Sequence, residues 1–121
     1  MAEYEVVFYE VADGECPTQE FLDGLAPKVR GKVAKWLELL EREGPNLPRP
    51  YADVVRGKIR ELRVSFSGLH RRFLYCFHGK RIVVTHGFVK KTAAIPEAEI
   101  VRAERCMVDF YRRLERGEIH L

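Results

Sequence analysis

Basic residues are concentrated in the middle third of the chain, where they can bind a negatively charged ligand. Residues 51–91 hold ten lysines and arginines but only two acidic residues, which gives this segment a net charge of +8. Residues 1–50 and 92–121 carry net charges of −4 and −1. Such a basic block in a strand-rich segment favours nucleic acid or phosphate over an acidic protein partner. The ten basic residues are Arg56, Lys58, Arg60, Arg63, Arg71, Arg72, Lys80, Arg81, Lys90 and Lys91.

Two of these lysines lie between the last apolar strand pattern and the last helix pattern. The strand pattern ends at Phe88, Lys90 and Lys91 follow at once, and no acidic residue occurs before Glu97. The two lysines are therefore either solvated loop residues or one wall of an anion site. The elements that position them decide between these alternatives.

The order of patterns predicts one α+β domain over residues 1–121, with helices packed on an antiparallel sheet. Pro17 suits the first turn of one helix, and a 3.6-residue apolar period marks a second. Gly44 ends that second helix, and the proline-rich segment GPNLPRPYADV that begins there is predicted as a loop. The predicted strands are Tyr4–Tyr9, Lys58–Phe66, Leu69–His78 and Arg81–Phe88, and the predicted helices are Pro17–Gly24, Val29–Leu40 and Pro96–Arg116.

The last three strands form a meander whose tight turns fix which residues meet. If Ser67-Gly68 is a two-residue turn, Arg63 faces Arg72 and Glu61 faces Leu74. If Gly79-Lys80 is the next such turn, Leu74 lies opposite Thr85 and Cys76 lies opposite Val83. Paired residues share a face of the sheet, and neighbours along a strand alternate between faces. One face then carries Ile59, Glu61, Arg63, Arg72, Leu74, Cys76, Val83 and Thr85. The other carries Leu62, Val64, Phe73, Tyr75, Phe77, Ile82, Val84 and His86, with Arg60 and Arg71, and should lie under helices.

Two arginines directly opposed across a strand pair repel each other unless an anion lies between them. Glu61 can neutralise Arg63 as a surface ion pair worth about 0–1 kcal/mol, but that alone leaves Arg72 and both lysines unexplained. The register therefore favours an anion site at Arg63 and Arg72. A three-residue turn would shift the register and disperse the cluster.

Short motifs occur in a fixed order along residues 57–110. They are Glu61-Leu62-Arg63, then Arg72-Phe73-Leu74-Tyr75, then HGFVKKT from His86 to Thr92, then Pro96 with Glu99-Ile100 and Ala103. In this order they resemble the RelE/ParE toxin superfamily, specifically its HigB-like, phage-derived branch. The resemblance covers the whole chain in element order.

This resemblance implies a RelE-like fold and the toxin of a type II toxin–antitoxin pair. Ribosome-dependent toxins of the superfamily enter the ribosomal A site and cut mRNA between codon bases. The 2′-hydroxyl attacks the adjacent phosphate and leaves a 2′,3′-cyclic phosphate or 3′-phosphate end, with no metal or small-molecule cofactor. The implied partners are mRNA, the ribosome and a helix-turn-helix antitoxin of the HigA-like kind.

Such in-line attack needs a base for the 2′-hydroxyl, cations for the charge that builds on the phosphate, and an acid for the leaving oxygen. Arg72 and Arg63 can clamp the phosphate, because the planar arginine fork suits it better than lysine. Glu61 is the candidate base, and Lys90 and Lys91 add positive field. Ribosome-dependent relatives often carry lysines on the first meander strand, where this chain has none on the facing side.

The remaining candidates surround this cluster. His86 and Tyr75 have the chemistry of an acid, but the predicted register places both on the opposite, core face. Phe88 can stack on a base at the strand end. The residues expected to contact RNA are Lys58, Arg60, Arg71, Phe88 and Thr92.

Two non-catalytic alternatives share the same fold. One is a ParE-like inhibitor of DNA gyrase, and the other is an inactive phage-derived protein that binds RNA without cutting it. Arg72 with Lys90 and Lys91 favours the nuclease, since a gyrase inhibitor needs no phosphate clamp.

Other features of the sequence bear on the cellular compartment of the protein and on whether it binds a metal ion. The acidic, alternating N-terminus is predicted as a strand rather than a signal peptide, and no apolar run reaches the roughly 18 residues of a membrane span. Three widely spaced cysteines are expected as reduced thiols in a cytoplasmic protein. His70 and His78 lie at opposite ends of one predicted strand, so they cannot share a metal ion.

Overall fold

The computed structural model describes residues 3–121, which form five strands and three α-helices. The elements are β1 (Glu5–Phe8), α1 (Pro17–Asp23), α2 (Pro27–Glu43), β2 (Ala52–Arg56), β3 (Ile59–Phe66), β4 (Leu69–His78), β5 (Arg81–Lys90) and α3 (Glu97–Glu115). The predicted α+β class is confirmed, and every predicted helix and strand is present.

The sheet has the order β1-β5-β4-β3-β2 and is mixed rather than wholly antiparallel. Strands β2 to β5 pair antiparallel, whereas β1 pairs parallel with β5. The parallel pair is possible because the chain leaves β1 through two helices before it enters the meander, and parallel strands need such a long crossover.

Strand β2 corrects the prediction that GPNLPRPYADV is entirely loop. Its prolines, at positions 45, 48 and 50, all precede Ala52, so none removes a donor from the ladder that Ala52–Arg56 forms with β3. Ala52 is buried opposite Leu62, while Val54 is exposed. The prolines thus mark only the approach to an edge strand.

The predicted register between β3 and β4 is confirmed: Arg63 pairs with Arg72 and Glu61 pairs with Leu74. Ser67 and Gly68 both have positive φ, of 50° and 78°, as a two-residue turn that matches the strand twist requires. The turn chemistry therefore fixes which side chains face each other here.

Between β4 and β5 the predicted register is right at Cys76 and Val83 but wrong from Leu74 onward. Leu74 pairs with His86 rather than Thr85, because a β-bulge leaves Thr85 as an extra residue. The bulge moves His86 to the face that carries Arg72, which corrects its predicted position on the other face. Phe88 pairs with Arg72 on that same face.

Helices cover both faces of the sheet. On the α1/α2 face the core comprises Val33, Leu40, Leu47, Ala52, Leu62, Val64, Phe73, Tyr75, Ile82 and Val84. On the α3 face it comprises Tyr9, Ile59, Leu74, Cys76, Val83, Phe88, Ala103 and Phe110. Among residues 3–121, no helix is both long and apolar enough to span a membrane.

Candidate functional site

Arg63 and Arg72 lie side by side on the α3 face, and Glu61 contacts both of them. Glu61 Oε1 is 2.8 Å from Arg72 Nε and 3.2 Å from Arg63 Nε. Arg72 and Glu61 are only 7% and 6% exposed. The carboxylate offsets the repulsion between the two guanidinium groups. The Arg72 Nε–H therefore lies against a carboxylate oxygen in an ion pair that is almost wholly buried.

A second carboxylate extends this ion pair towards the edge of the sheet. Asp53 on β2 pairs with Glu61 in the ladder, and its Oδ2 lies 3.5 Å from an Arg63 Nη and 2.8 Å from an Arg49 Nη. The hydrogen bond from Arg49, followed by that from the Val54 N–H, lowers the pKa of Asp53. Both carboxylates therefore hold Arg63 in place from one side.

The ladder between β2 and β3 ends at Ala52 and Leu62, so the edge of β3 beyond Arg63 is not paired with β2. The Arg63 N–H donates to the Tyr51 carbonyl at 2.8 Å, and the Lys32 ammonium donates to the Ser65 carbonyl. These contacts bring α2 and the approach to β2 alongside the two arginines. The resulting cleft, of about 370 Å³, is lined by Lys32, Trp36, Pro50, Tyr51, Arg63, Ser65, His70 and Arg72.

His70 is the exposed titratable side chain of this cleft. Its Nδ1 lies 2.8 Å from Ser65 Oγ, which orients the ring and leaves Nε2 for a ligand. His70 pairs with Lys90 across β4 and β5, so Lys90 lies on the same face as Arg72. Strand β5 continues to Lys90. Lys90 is therefore a strand residue facing the site, whereas Lys91 and Thr92 follow the strand and are exposed.

The bulge at Thr85 brings His86 to the α3 face but buries it. His86 Nε2 lies 3.1 Å from Glu99 Oε1 and its Nδ1 lies 3.0 Å from Thr85 Oγ1. Burial, reinforced by the Arg102 charge and opposed by Glu99, lowers the pKa of His86. The Phe88 ring stacks on His86 with a centroid distance of 5.6 Å and is 8% exposed. Neither ring lines the cleft.

The other predicted RNA-contacting residues lie away from the cleft. Lys58 is in the β2–β3 turn, at the opposite end of the sheet from His70. Arg60 and Arg71 lie on the α1/α2 face because they alternate with Glu61 and Arg72 along their strands. Tyr75 lies on that face as predicted, and burial raises its pKa to about 12.

Sequence reasoning missed the contributions of α2 and His70 to the site. Lys32 lies outside the basic segment 51–91, so it was not considered for the anion site. Trp36 fits the apolar face of the helical pattern, which predicted it as a core residue. The side-chain alternation along β4 could have predicted the position of His70. His70 is two residues from Arg72, so both side chains lie on the same face of the sheet. Within residues 3–121, no group of three acidic, histidine or cysteine side chains could hold a metal ion.

This geometry is suited to binding phosphate, with two arginines, a lysine and an orientable imidazole around one cleft. Comparison with curated proteins gave no match. A family model described as "Phage derived protein Gp49-like (DUF891)" matches residues 20–108, which include α2, the whole meander and most of α3. The chain therefore belongs to the Gp49-like family of phage-derived proteins, within the RelE/ParE-like toxin superfamily.

Proposed function

We propose that this protein is the toxin of a type II toxin–antitoxin pair and cuts mRNA in the ribosomal A site without a metal ion. The observation that carries the proposal is the pair of arginines, Arg63 and Arg72, which lie opposite each other on β3 and β4, share Glu61 as an ion-pair partner and line one cleft. Two guanidinium groups that line one cleft can bind a phosphate through charge-assisted hydrogen bonds to its oxygens. Membership of the superfamily supports the same chemistry.

The arginines act on the phosphate in this proposal. Arg63 and Arg72 bind the non-bridging oxygens and stabilise the charge that develops as the 2′-hydroxyl attacks. Glu61 is nearly inaccessible and already contacts both guanidinium groups. We therefore assign it to positioning the arginines rather than to the role of base.

His70 takes the proton-transfer role that Glu61, Tyr75 and His86 are too buried to fill. It is exposed, its ring is oriented by Ser65, and Lys90 lies across from it. General acid–base catalysis by a positioned side chain contributes about 10²–10⁴-fold, so His70→Asn should lower cleavage by that factor. An unchanged cleavage rate in His70→Asn would contradict this role.

In the same proposal, Lys90 and Lys91 contribute positive electrostatic potential near the cleft. Lys90 pairs with His70 across β4 and β5, while Lys91 is exposed just beyond the end of β5. The two lysines would attract the mRNA backbone without fixing one phosphate geometry, which is the role of the arginines.

The partner in this proposal is a helix-turn-helix antitoxin of the HigA-like kind. Superfamily membership supports an antitoxin partner. Co-expression with such a protein encoded beside the gene should restore growth that the toxin alone arrests.

The test is primer extension on mRNA from programmed bacterial ribosomes incubated with the protein. Wild type should produce cuts within the A-site codon, and Arg72→Ala should reduce them by about 10²–10³-fold, as loss of a donor to transition-state charge does. Lys58→Ala is the matched control, because Lys58 is basic but remote from the cleft. Absence of cuts where a known A-site nuclease does cut would overturn the proposal, and gyrase inhibition would then be assayed.

A further inference from the structure

Helix α2 carries a row of lysines on its outer side. Lys28, Lys32 and Lys35 are spaced by four and three residues, so they lie on the same side of the helix. Lys28 and Lys35 are exposed, and Lys32 is half-buried. The acidic residues of α2 all follow this row, at positions 38, 41 and 43. The N-terminal half of α2 is therefore basic although residues 1–50 are acidic as a whole.

Lys32 connects this row to the cleft at Arg63 and Arg72. Its Nζ lies 5.3 Å from the Trp36 ring centroid and 5.7 Å from that of Phe66, and it donates to the Ser65 carbonyl. A groove of about 600 Å³ lies beyond it and is lined by Lys28, Gly31, Lys32, Lys35, Trp36 and Phe66. This α2 groove and the cleft share Lys32 and Trp36 as a common wall.

Gly31 is one of the residues that line the α2 groove, and it lies in the interior of a 17-residue helix. A Cβ at this position would meet no other atom within 4 Å, so packing within the protein does not require glycine. Glycine inside a helix is destabilising relative to alanine. Because Gly31 has no side chain, a ligand can approach the helix backbone closely between Lys28 and Lys35.

We propose that the α2 groove is a second RNA-binding subsite, which holds the single-stranded segment next to the phosphate bound at Arg63 and Arg72. Lys28 and Lys35 contact backbone phosphates, and Phe66 provides a ring on which a base stacks, with Gly31 beneath it. This inference rests on the proposed function, because it takes RNA as the ligand of the neighbouring cleft. Lysines interleaved with aromatic rings and continuous with a phosphate cleft match a nucleotide chain.

The first test is binding of a fluorescein-labelled, 2′-O-methylated oligouridine of about 12 nucleotides, measured by anisotropy over a range of salt concentrations. The 2′-O-methyl groups prevent cleavage, so binding is measured apart from nuclease activity. Lys28→Ala/Lys35→Ala should weaken binding by about tenfold and reduce the slope of log affinity against log salt by about 1.4, since two phosphate contacts are lost.

The matched control is Lys58→Ala/Lys80→Ala, which removes the same charge at the opposite end of the sheet and should leave the slope unchanged. Equal losses in both double variants would overturn the inference, because net charge alone would then explain them. Unchanged binding in Lys28→Ala/Lys35→Ala would also overturn it.

Two further variants test the stacking and the open backbone. Phe66→Leu should weaken RNA binding but not the binding of a labelled decaglutamate peptide, and Gly31→Ala should raise the melting temperature while weakening RNA binding. Equal losses for RNA and decaglutamate in Phe66→Leu would show a groove for an acidic protein and overturn the inference. If wild type cuts no mRNA but the lysine pair still governs RNA binding, the proposed nuclease fails and the groove stands.

Discussion

At the scale of single residues, one carboxylate decides whether the arginine pair is stable without a ligand. Glu61 places one oxygen against both Arg63 and Arg72, and nearly all of its surface is buried. Breaking a buried ion pair from one side leaves an uncompensated charge, which costs more than the pair contributes when intact. In the proposed function, we expect a bound phosphate to replace that carboxylate.

Glu61→Gln should therefore lower the free energy of unfolding by about 1–3 kcal/mol, the penalty for leaving a buried polar group unsatisfied. Inorganic phosphate should recover part of this loss, because it binds the arginines that Glu61 no longer neutralises. Urea unfolding with and without phosphate measures both effects. Glu38→Gln on the exposed side of α2 is the control. Equal stability of Glu61→Gln and wild type would contradict the buried ion pair.

The burial of His86 should make the stability of the folded protein decrease at low pH. Burial lowers the pKa of His86, so below the unfolded value of about 6.5 the unfolded chain binds a proton that the folded protein does not. Stability should fall as the pH falls from about 7.5 to 5.5, by at most about 1.4 kcal/mol per pH unit.

His86→Gln should show a smaller loss than wild type in urea unfolding at the two pH values. The exposed His120→Gln, which removes a histidine outside the core, should behave like wild type. A His86→Gln variant with the full pH dependence of wild type would contradict the assignment to His86.

At the scale of elements, the bulge in β5 positions the core of the α3 face. By absorbing Thr85 it turns His86 and Phe88 towards α3 and Gly87 towards α1. A Cβ on Gly87 would lie 2.7 Å from carbon atoms of both Phe21 and Phe73. Glycine is therefore required where α1 approaches β5.

Gly87→Ala should lower the free energy of unfolding by about 1–3 kcal/mol, as overpacking in a core does. Gly31→Ala is the same substitution in open space on α2 and should raise it by up to about 1 kcal/mol. Thermal unfolding of the two variants compares them directly. A neutral Gly87→Ala would show that α1 yields to the added methyl group.

The residues of the β3–β4 turn made part of the fold and of the candidate site predictable from the sequence. Ser67-Gly68 fixes the β3–β4 register, and with it the juxtaposition of Arg63, Arg72 and Glu61. No comparable residue pattern marks the bulge at Thr85. The sheet face predicted for His86, the residue after the bulge, was therefore wrong. The approach of Lys32 to Ser65 depends on how α2 packs at the open edge of β3, which spacing along the chain does not encode.

At the scale of the whole molecule, acidic residues neutralise the cations at one end of the sheet. Arg81 lies 2.8 Å from Glu5, and Lys80 lies 3.7 Å from Glu3. Helix α3 similarly holds Arg56 through Glu97 and Glu104, each at 2.9 Å. At the Ser67-Gly68 end, where β5 ends and α2 begins, the lysines Lys28, Lys35, Lys90 and Lys91 add positive charge beside the ion-paired Arg63 and Arg72.

The measurement that tests the central claim most directly uses two mRNAs that differ by a single 2′-hydroxyl at the A-site nucleotide that is cut. Programmed ribosomes carrying each mRNA are treated with wild type and with Arg72→Ala, and the ends are mapped by primer extension. If the 2′-hydroxyl attacks a phosphate held by Arg72, only wild type with the all-ribose mRNA gives the cut. Equal cutting of the 2′-deoxy mRNA, or full activity of Arg72→Ala, would contradict the account.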